Sequence, residues 1–143
     1  MRLCVFEDEA VRMLEPLTLT RPAWALWCGA SSLLERQKRV LAPAAIGALV
    51  RPELVDLCRA QNPQLPINDP HFLEGDDLVL VNARWLPAVQ GRIDMARPHV
   101  GLVNGQIAYV ALPPFAVDDF RPGSVQAWLD QCRNSMAAEE TTG

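Results

Sequence analysis

"PLTLTRPAWALWCGASSLLERQ", residues 16–37, is the stretch on which the fold turns. It runs from Pro16-Leu17-Thr18 through Arg21-Pro22 into an apolar segment carrying Trp24 and Trp27, then crosses Gly29 and Ser31-Ser32. Its far end reads as a helix start. In "SSLLERQKRVL" (31–41) Ser32 stands three residues before Glu35, the spacing of a capping box. Leu33, Leu34, Gln37, Val40 and Leu41 then fall near one helical face. Upstream, "RLCVF" (2–6) is a short apolar run with the length of a buried strand. The quoted stretch is therefore a strand-to-helix connection, the place where α/β proteins handle ligands.

The same alternation continues outward. "AIGALV" (45–50) has strand length, and "PELVDLCRAQ" (52–61) reads as a helix with Pro52 in its first turn. "DLVLVNARWL" (77–86) carries the strongest buried-strand pattern in the chain. "VGLVNGQIAYVAL" (100–112) places two β-rich runs around Asn104-Gly105, a strong hairpin signal. "SVQAWLDQCR" (124–133) reads as a last helix with Ser124 as N-cap. Alternating β and α elements predict an α/β domain over residues 1–135, with a mostly parallel sheet flanked by helices and a C-terminal β-hairpin and helix. Residues 136–143, "MAAEETTG", are small and polar and are expected to fray.

Composition narrows the function classes. Half of the 143 residues are hydrophobic and 21% are charged, a globular balance. A net charge of −4 argues against a nucleic-acid backbone as partner, because phosphate neutralisation needs a basic face. No window approaches the roughly 18 apolar residues of a membrane span. "MRLCVFEDEA" lacks the pattern of a signal peptide, so the expected location is cytoplasmic. Cys4, Cys28, Cys58 and Cys132 form no CxxC pair, and each lies in an apolar context that suits a reduced core thiol. Twelve prolines, against about seven at average usage, fit a chain with many short connections.

Within the first connection Arg21 is a candidate anion ligand, since its planar fork pairs with phosphate or carboxylate. The competing reading is a surface arginine, or one bridging to Glu7-Asp8-Glu9. Trp24 and Trp27 suit base stacking or burial on the sheet. The helix start at Ser31 and Ser32 presents free N–H groups to an anion. Asn82 and Arg84, at the end of the strong strand, point to one face and sit where α/β sites lie. The Asp76-Asp77 pair reads as a solvated turn or a Mg²⁺ ligand pair.

These residues resemble the sugar-1-phosphate nucleotidyltransferases. Pro16-Leu17-Thr18, Pro22 and Leu33-Leu34-Glu35 match that family's opening segment in order, and "LVLVNARWLP" (78–87) is similar to its later strand ending in Asn-Gly-Asp. "VGLVNGQIAYV" (100–110) is similar to the following hairpin. An "LTxTRP" segment like residues 17–22 marks a divergent subgroup, similar to the bifunctional N-acetylglucosamine-1-phosphate uridylyltransferases. The resemblance covers residues 2–112. It implies a truncated, Rossmann-like nucleotidyltransferase fold, with a nucleoside triphosphate, a sugar 1-phosphate or sugar nucleotide, and Mg²⁺ as partners. From their positions at two strand-end loops Arg21 and Arg84 are the expected catalytic groups of an enzyme of this kind, with Thr20, Arg21, Ser31, Ser32 and Asn82 expected to bind substrate and Asp8 to be a metal ligand.

Three of the family's features are absent. "EDEAVRMLE" (7–15) stands where a glycine-rich loop would cradle the triphosphate, and it carries four carboxylates and no glycine. Ala23 stands in the place of the phosphate-binding lysine, and Arg84 in that of the metal-binding aspartate. Two readings follow. One is nucleotidyl transfer from a nucleoside triphosphate to a sugar 1-phosphate, with Arg21 and Arg84 supplying positive charge. The other is a non-catalytic domain that binds a sugar nucleotide or docks a protein, a second copy included. A homo-oligomer would be favoured by an exposed apolar segment at 24–28. The discriminating feature is whether residues 7–15 cover the strand ends or leave a cleft lined by Arg21 and Arg84.

Overall fold

The computed structural model describes residues 1–88, 93–117 and 125–143. In chain order the strands and helices are β1 (Arg2–Phe6), β2 (Trp27–Cys28), β3 (Ser31–Ser32), α1 (Leu33–Leu41), β4 (Ala45–Leu49), α2 (Val55–Gln61), β5 (Leu78–Asn82), β6 (His99–Val103), β7 (Gln106–Leu112), α3 (Pro114–Val117), α4 (Val125–Ser135) and β8 (Ala137–Glu140). Six strands form one sheet in the order β4-β1-β5-β7-β6-β8, and among them β7 alone runs against the others. The expected α/β architecture, mostly parallel with flanking helices, is the observed one.

β1 lies between two parallel neighbours, with Phe6 level with Leu49 of β4 on one side and Asn82 of β5 on the other. Its side chains alternate between two apolar layers. Leu3 and Val5 pack with Trp24, Leu41 of α1 and Cys58 of α2. Cys4 and Phe6 pack on the opposite face with Leu73 and with Leu129 and Cys132 of α4. The shared face of α1 and α2 has a topological cause. α1 leads from β1 to β4, and α2 leads on to Ile67, which bridges in parallel to Ala48 as a one-residue strand beyond β4. Both steps go the same way, so right-handed crossovers put both helices on one side. The chain then returns over the other face through the 3-10 turn Pro70–Leu73. There the Phe72 ring lies over Gly47, where a Cβ would approach it to 2.5 Å. The direction of winding thus reverses between β1 and β5, and the crevice at their carboxyl ends is the switch point of the sheet.

Local chemistry explains the element ends. Ser32 Oγ accepts the Glu35 N–H at 3.2 Å, while the Glu35 carboxylate turns to Lys38 rather than completing a capping box. Asn104 and Gly105 take φ of 51° and 74°, the left-handed pair that a two-residue hairpin turn requires. β5 stops at Asn82, earlier than the apolar run suggests, because residues 83–84 form a turn. Ser124, expected as the cap of the last helix, lies outside the described residues.

Part of the tail at 136–143, expected to fray, forms a strand, β8. β8 pairs in parallel with β6, from His99 opposite Ala137 to Leu102 opposite Glu140. The reason is the sheet edge: without β8, β6 would show an unpaired row of backbone groups. β8 is mostly exposed, so it carries no apolar alternation by which a sequence would reveal it. Among the described residues no helix is long and apolar enough to cross a membrane.

Three of the four thiols are buried, and Cys28 is partly exposed. Burial pushes the Cys132 thiol up to about 12 and raises that of Cys4 further. Burial and the nearby Glu7 carboxylate raise that of Cys58. At pH 8 a thiol of pKa about 12 is about one part in 10⁴ thiolate. A disulfide-exchange reagent should therefore label Cys28 in a fast phase that Cys28→Ser removes, with the other three reacting on unfolding. A second fast thiol in the folded chain would contradict this packing.

Candidate functional site

The switch point is built from the two residues that follow β1. Glu7 and Asp8 are consecutive carboxylates, and in extended chain they leave on opposite sides. Each meets an arginine from the end of a neighbouring parallel strand, Arg51 after β4 and Arg84 after β5.

Glu7 is buried, with 1% of its side chain exposed. Its Oε2 accepts from Arg51 Nε at 3.2 Å and from the Arg51 backbone N–H at 3.4 Å. Its Oε1 accepts the Ala23 N–H at 2.8 Å. Arg51 also donates through Nη2 to the Thr18 carbonyl, and the buried Thr18 hydroxyl donates to the Val11 carbonyl at 3.2 Å. This chain of bonds shapes the "LTLTRPAW" loop. Thr18, Ala23 and Trp24 turn inward, while Thr20 and Arg21 turn out to solvent.

Asp8 faces β5. Its Oδ1 accepts from Arg84 Nε at 3.0 Å, and its Oδ2 accepts from Arg84 Nη2 at 2.7 Å and Asn82 Nδ2 at 2.9 Å. Asn82 Nδ2 also donates to the Ile107 carbonyl, and Asn82 Oδ1 accepts the Arg84 N–H at 3.0 Å. Arg84 Nη2 reaches Gln106 Oε1 at 3.3 Å. The turn carrying Arg84 is pinned from below by fully buried Gln37, whose Nε2 donates to the carbonyls of Asn82 and Trp85 at 2.9 and 2.8 Å. A guanidinium clamped in this way is a fixed positive group with one edge toward solvent.

Two cavities flank this pair. One, of about 340 Å³, opens between the ends of β1 and β4 and is lined by Glu7, Asp8, Arg12, Arg51, Asn68 and Gln126 among others. The other, of about 220 Å³, opens between the ends of β5 and the hairpin and is lined by Asn82, Arg84, Trp85 and Gln106 among others. Residues 9–14 fold as a 3-10 helix at the mouth of the larger cavity.

The structure thus brings Asp8, Asn82 and Arg84 together. Thr20, Arg21, Ser31 and Ser32 line neither cavity. Arg21 is exposed and makes no hydrogen bond or ion pair among the described residues. Ser31 and Ser32 lie in the β2-β3 ribbon, where the Ser32 hydroxyl serves as helix cap. Of the two tryptophans, Trp24 is buried and Trp27 is 73% exposed. Sequence reading missed Arg51 and Arg12. The available signal was register: charges at equal offsets after adjacent parallel strands meet, and Arg51 and Arg84 each lie two residues past the residue level with Phe6.

The expected divalent cation is a poor fit to this arrangement. Both Asp8 oxygens already accept from Arg84, whose charge would repel a metal at the same carboxylate. No three His, Cys, Asp or Glu side chains gather as a ligand group among the described residues.

Glu7→Gln keeps an acceptor for Ala23 but leaves Arg51 without its counter-charge. It should cost about 3 kcal/mol in a urea titration, whereas Arg21→Ala should stay within about 0.5 kcal/mol. Equal losses in the two variants would contradict the anchoring role of Glu7.

No curated protein matches the chain. The sugar nucleotidyl transferase family model matches residues 3–113, which span β1 through β7 and include Glu7, Asp8, Arg51, Asn82 and Arg84. The chain therefore belongs to the sugar nucleotidyl transferase family.

Proposed function

We propose that this domain binds a sugar nucleotide across the carboxyl ends of β4, β1 and β5, and that it does so without a divalent cation. The observation that carries this reading is the ion pair of Asp8 with Arg84 at the switch point. Asp8 lines the larger cavity and Arg84 the smaller, so the pair stands between them and offers a protein cation to a diphosphate.

Charge accounting favours a sugar nucleotide over a triphosphate. Around the larger cavity Glu7 is matched by Arg51 and Asp8 by Arg84, and Glu9 offsets Arg12. The lining is close to neutral. A nucleoside triphosphate brings about four negative charges, and transfer adds charge at the departing pyrophosphate that a catalyst must stabilise. A sugar nucleotide brings about two, which suits the exposed edge of Arg84 together with Arg12. The 3-10 helix at 9–14 stands where a phosphate-cradling loop would be needed. Asn68, whose side chain caps β4 by bonding both backbone groups of Val50, closes the far wall of the larger cavity.

A second reading, nucleotidyl transfer with Arg84 as the charge-stabilising group, is favoured by the family membership itself. Calorimetric titration with UDP-N-acetylglucosamine, UDP-glucose, dTDP-glucose and GDP-mannose separates the two. At least one should bind, with its Kd unchanged within about two-fold by magnesium or by EDTA. Arg84→Ala should weaken that binding about ten-fold, the loss of one charge-assisted hydrogen bond. Magnesium-dependent release of pyrophosphate from a triphosphate and a sugar 1-phosphate would overturn the binding reading in favour of the second.

A further inference from the structure

Trp85 sits beside Arg84, and among the described residues its indole N–H meets no acceptor. The residue is 7% exposed. The ring is well held on its other side, stacked at a tilt on Tyr109 with centroids 5.4 Å apart. Gly143, beyond β8, lies against the indole so closely that a Cβ there would fall 2.6 Å from Nε1, and it is part of the wall of the cavity lined by Arg84 and Gln106.

The segment that brings Gly143 there is thinly attached. β8 is the outermost strand, pairs with β6 alone and is mostly exposed. Beyond its four-residue pairing with β6, its side-chain ties centre on Glu139, which pairs with exposed Arg97 and lies 4.0 Å from His99 Nε2, and the Thr141 N–H donates to the Leu102 carbonyl at 2.7 Å. Few buried contacts and many exposed backbone bonds are the marks of an element that opens locally. The segment also lies outside residues 3–113, so it is an addition to the part of the chain that matches the family.

We propose that residues 137–143 are a strap that closes the cavity beside Arg84, and that a sugar nucleotide reaches Trp85 only when the strap lifts. This rests on the sugar-nucleotide reading above. With the strap down, Gly143 occupies the space over the indole and the N–H stays unpaired, an unfavourable arrangement for a buried donor. With the strap lifted, the Trp85 N–H joins the Arg84 guanidinium and the Gln106 amide around one cavity. Together they offer donors to the oxygens of a phosphate or a sugar hydroxyl. A ligand that supplies the missing acceptor binds the open form better than the closed one, and that difference shifts the population. The apparent affinity of the whole chain is then lowered by the fraction of time the strap is open.

Two variants loosen the strap from different points. Thr141→Pro removes the N–H donated to Leu102, and Gly143→Val forces the chain off the indole. Two readouts are taken on the full chain: exchange of the Trp85 indole N–H by NMR, its signal identified with Trp85→Phe, and titration with the four sugar nucleotides named above. Faster indole exchange in both variants, with a Kd about five-fold lower or better for the sugar nucleotide that binds, is the expected result. Faster exchange with unchanged affinity would overturn the gate while leaving the binding reading intact. Unchanged exchange would overturn the covering role itself. No binding by wild type or variants would overturn the sugar-nucleotide reading and the gate with it, and faster exchange in that case would still show that the strap covers the indole.

Discussion

Two consecutive carboxylates at the end of a central strand impose the constraint that organises this molecule. A buried or half-buried carboxylate needs a counter-charge and hydrogen bonds, or it is strongly destabilising. β1 has a parallel neighbour on each side, and each neighbour supplies an arginine at the required height. Glu7 takes Arg51 and Asp8 takes Arg84. The first pair holds the long connection between β1 and α1, because Arg51 and Glu7 together bind Thr18 and Ala23 of that connection. The second pair holds the turn after β5, which Gln37 of α1 supports from the interior. Fold and site thus share one set of charges.

This compensation also underlies the binding reading proposed for the crevice. In the usual nucleotidyl-transfer chemistry, acidic groups hold a cation that faces phosphate. Here the positive charge belongs to the protein, on arginines whose partners are already in place. The position expected for a phosphate-binding lysine is Ala23, fully buried, with its N–H spent on Glu7. A lysine side chain there would start from the interior, beside Glu7 and Arg51. The neutral lining, the 3-10 helix at residues 9–14 and the clamped Arg84 are consistent with one another, and all favour binding of a modestly charged ligand.

The fold was largely legible because its signals are local. Apolar runs marked β1, β4 and β5, Asn104-Gly105 marked the hairpin, and Ser32 with Glu35 marked the start of α1. β8 escaped because an exposed edge strand of Ala and Glu is held by backbone bonds that leave no side-chain pattern. Of the site, Asn82 and Arg84 were legible as residues at a strand end, and the structure puts Asp8, expected as a metal ligand, in hydrogen-bond contact with both. Arg51 was not, because its role depends on pairing between β1 and β4 across more than forty positions of sequence, with a |i−j| of 44. Arg21 drew attention through its place in "LTxTRP", yet the residues of that motif that turn inward are its neighbours Thr18, Ala23 and Trp24. Trp27 is exposed as an apolar 24–28 segment would need to be for self-association, but Trp24 in the same segment is core.

The central claim is that Arg84 occupies the place of a metal ion at Asp8. Manganese titration of the ¹⁵N-labelled chain tests it most directly, since a bound paramagnetic ion broadens nearby amide signals. In the wild type the amides of residues 7–9 and 82–85 should broaden no more than those of exposed acidic turns such as Asp76 and Asp77, while in Arg84→Ala they should broaden first. Selective broadening of residues 7–9 and 82–85 in the wild type would show that a metal reaches Asp8 despite Arg84, and would contradict the account.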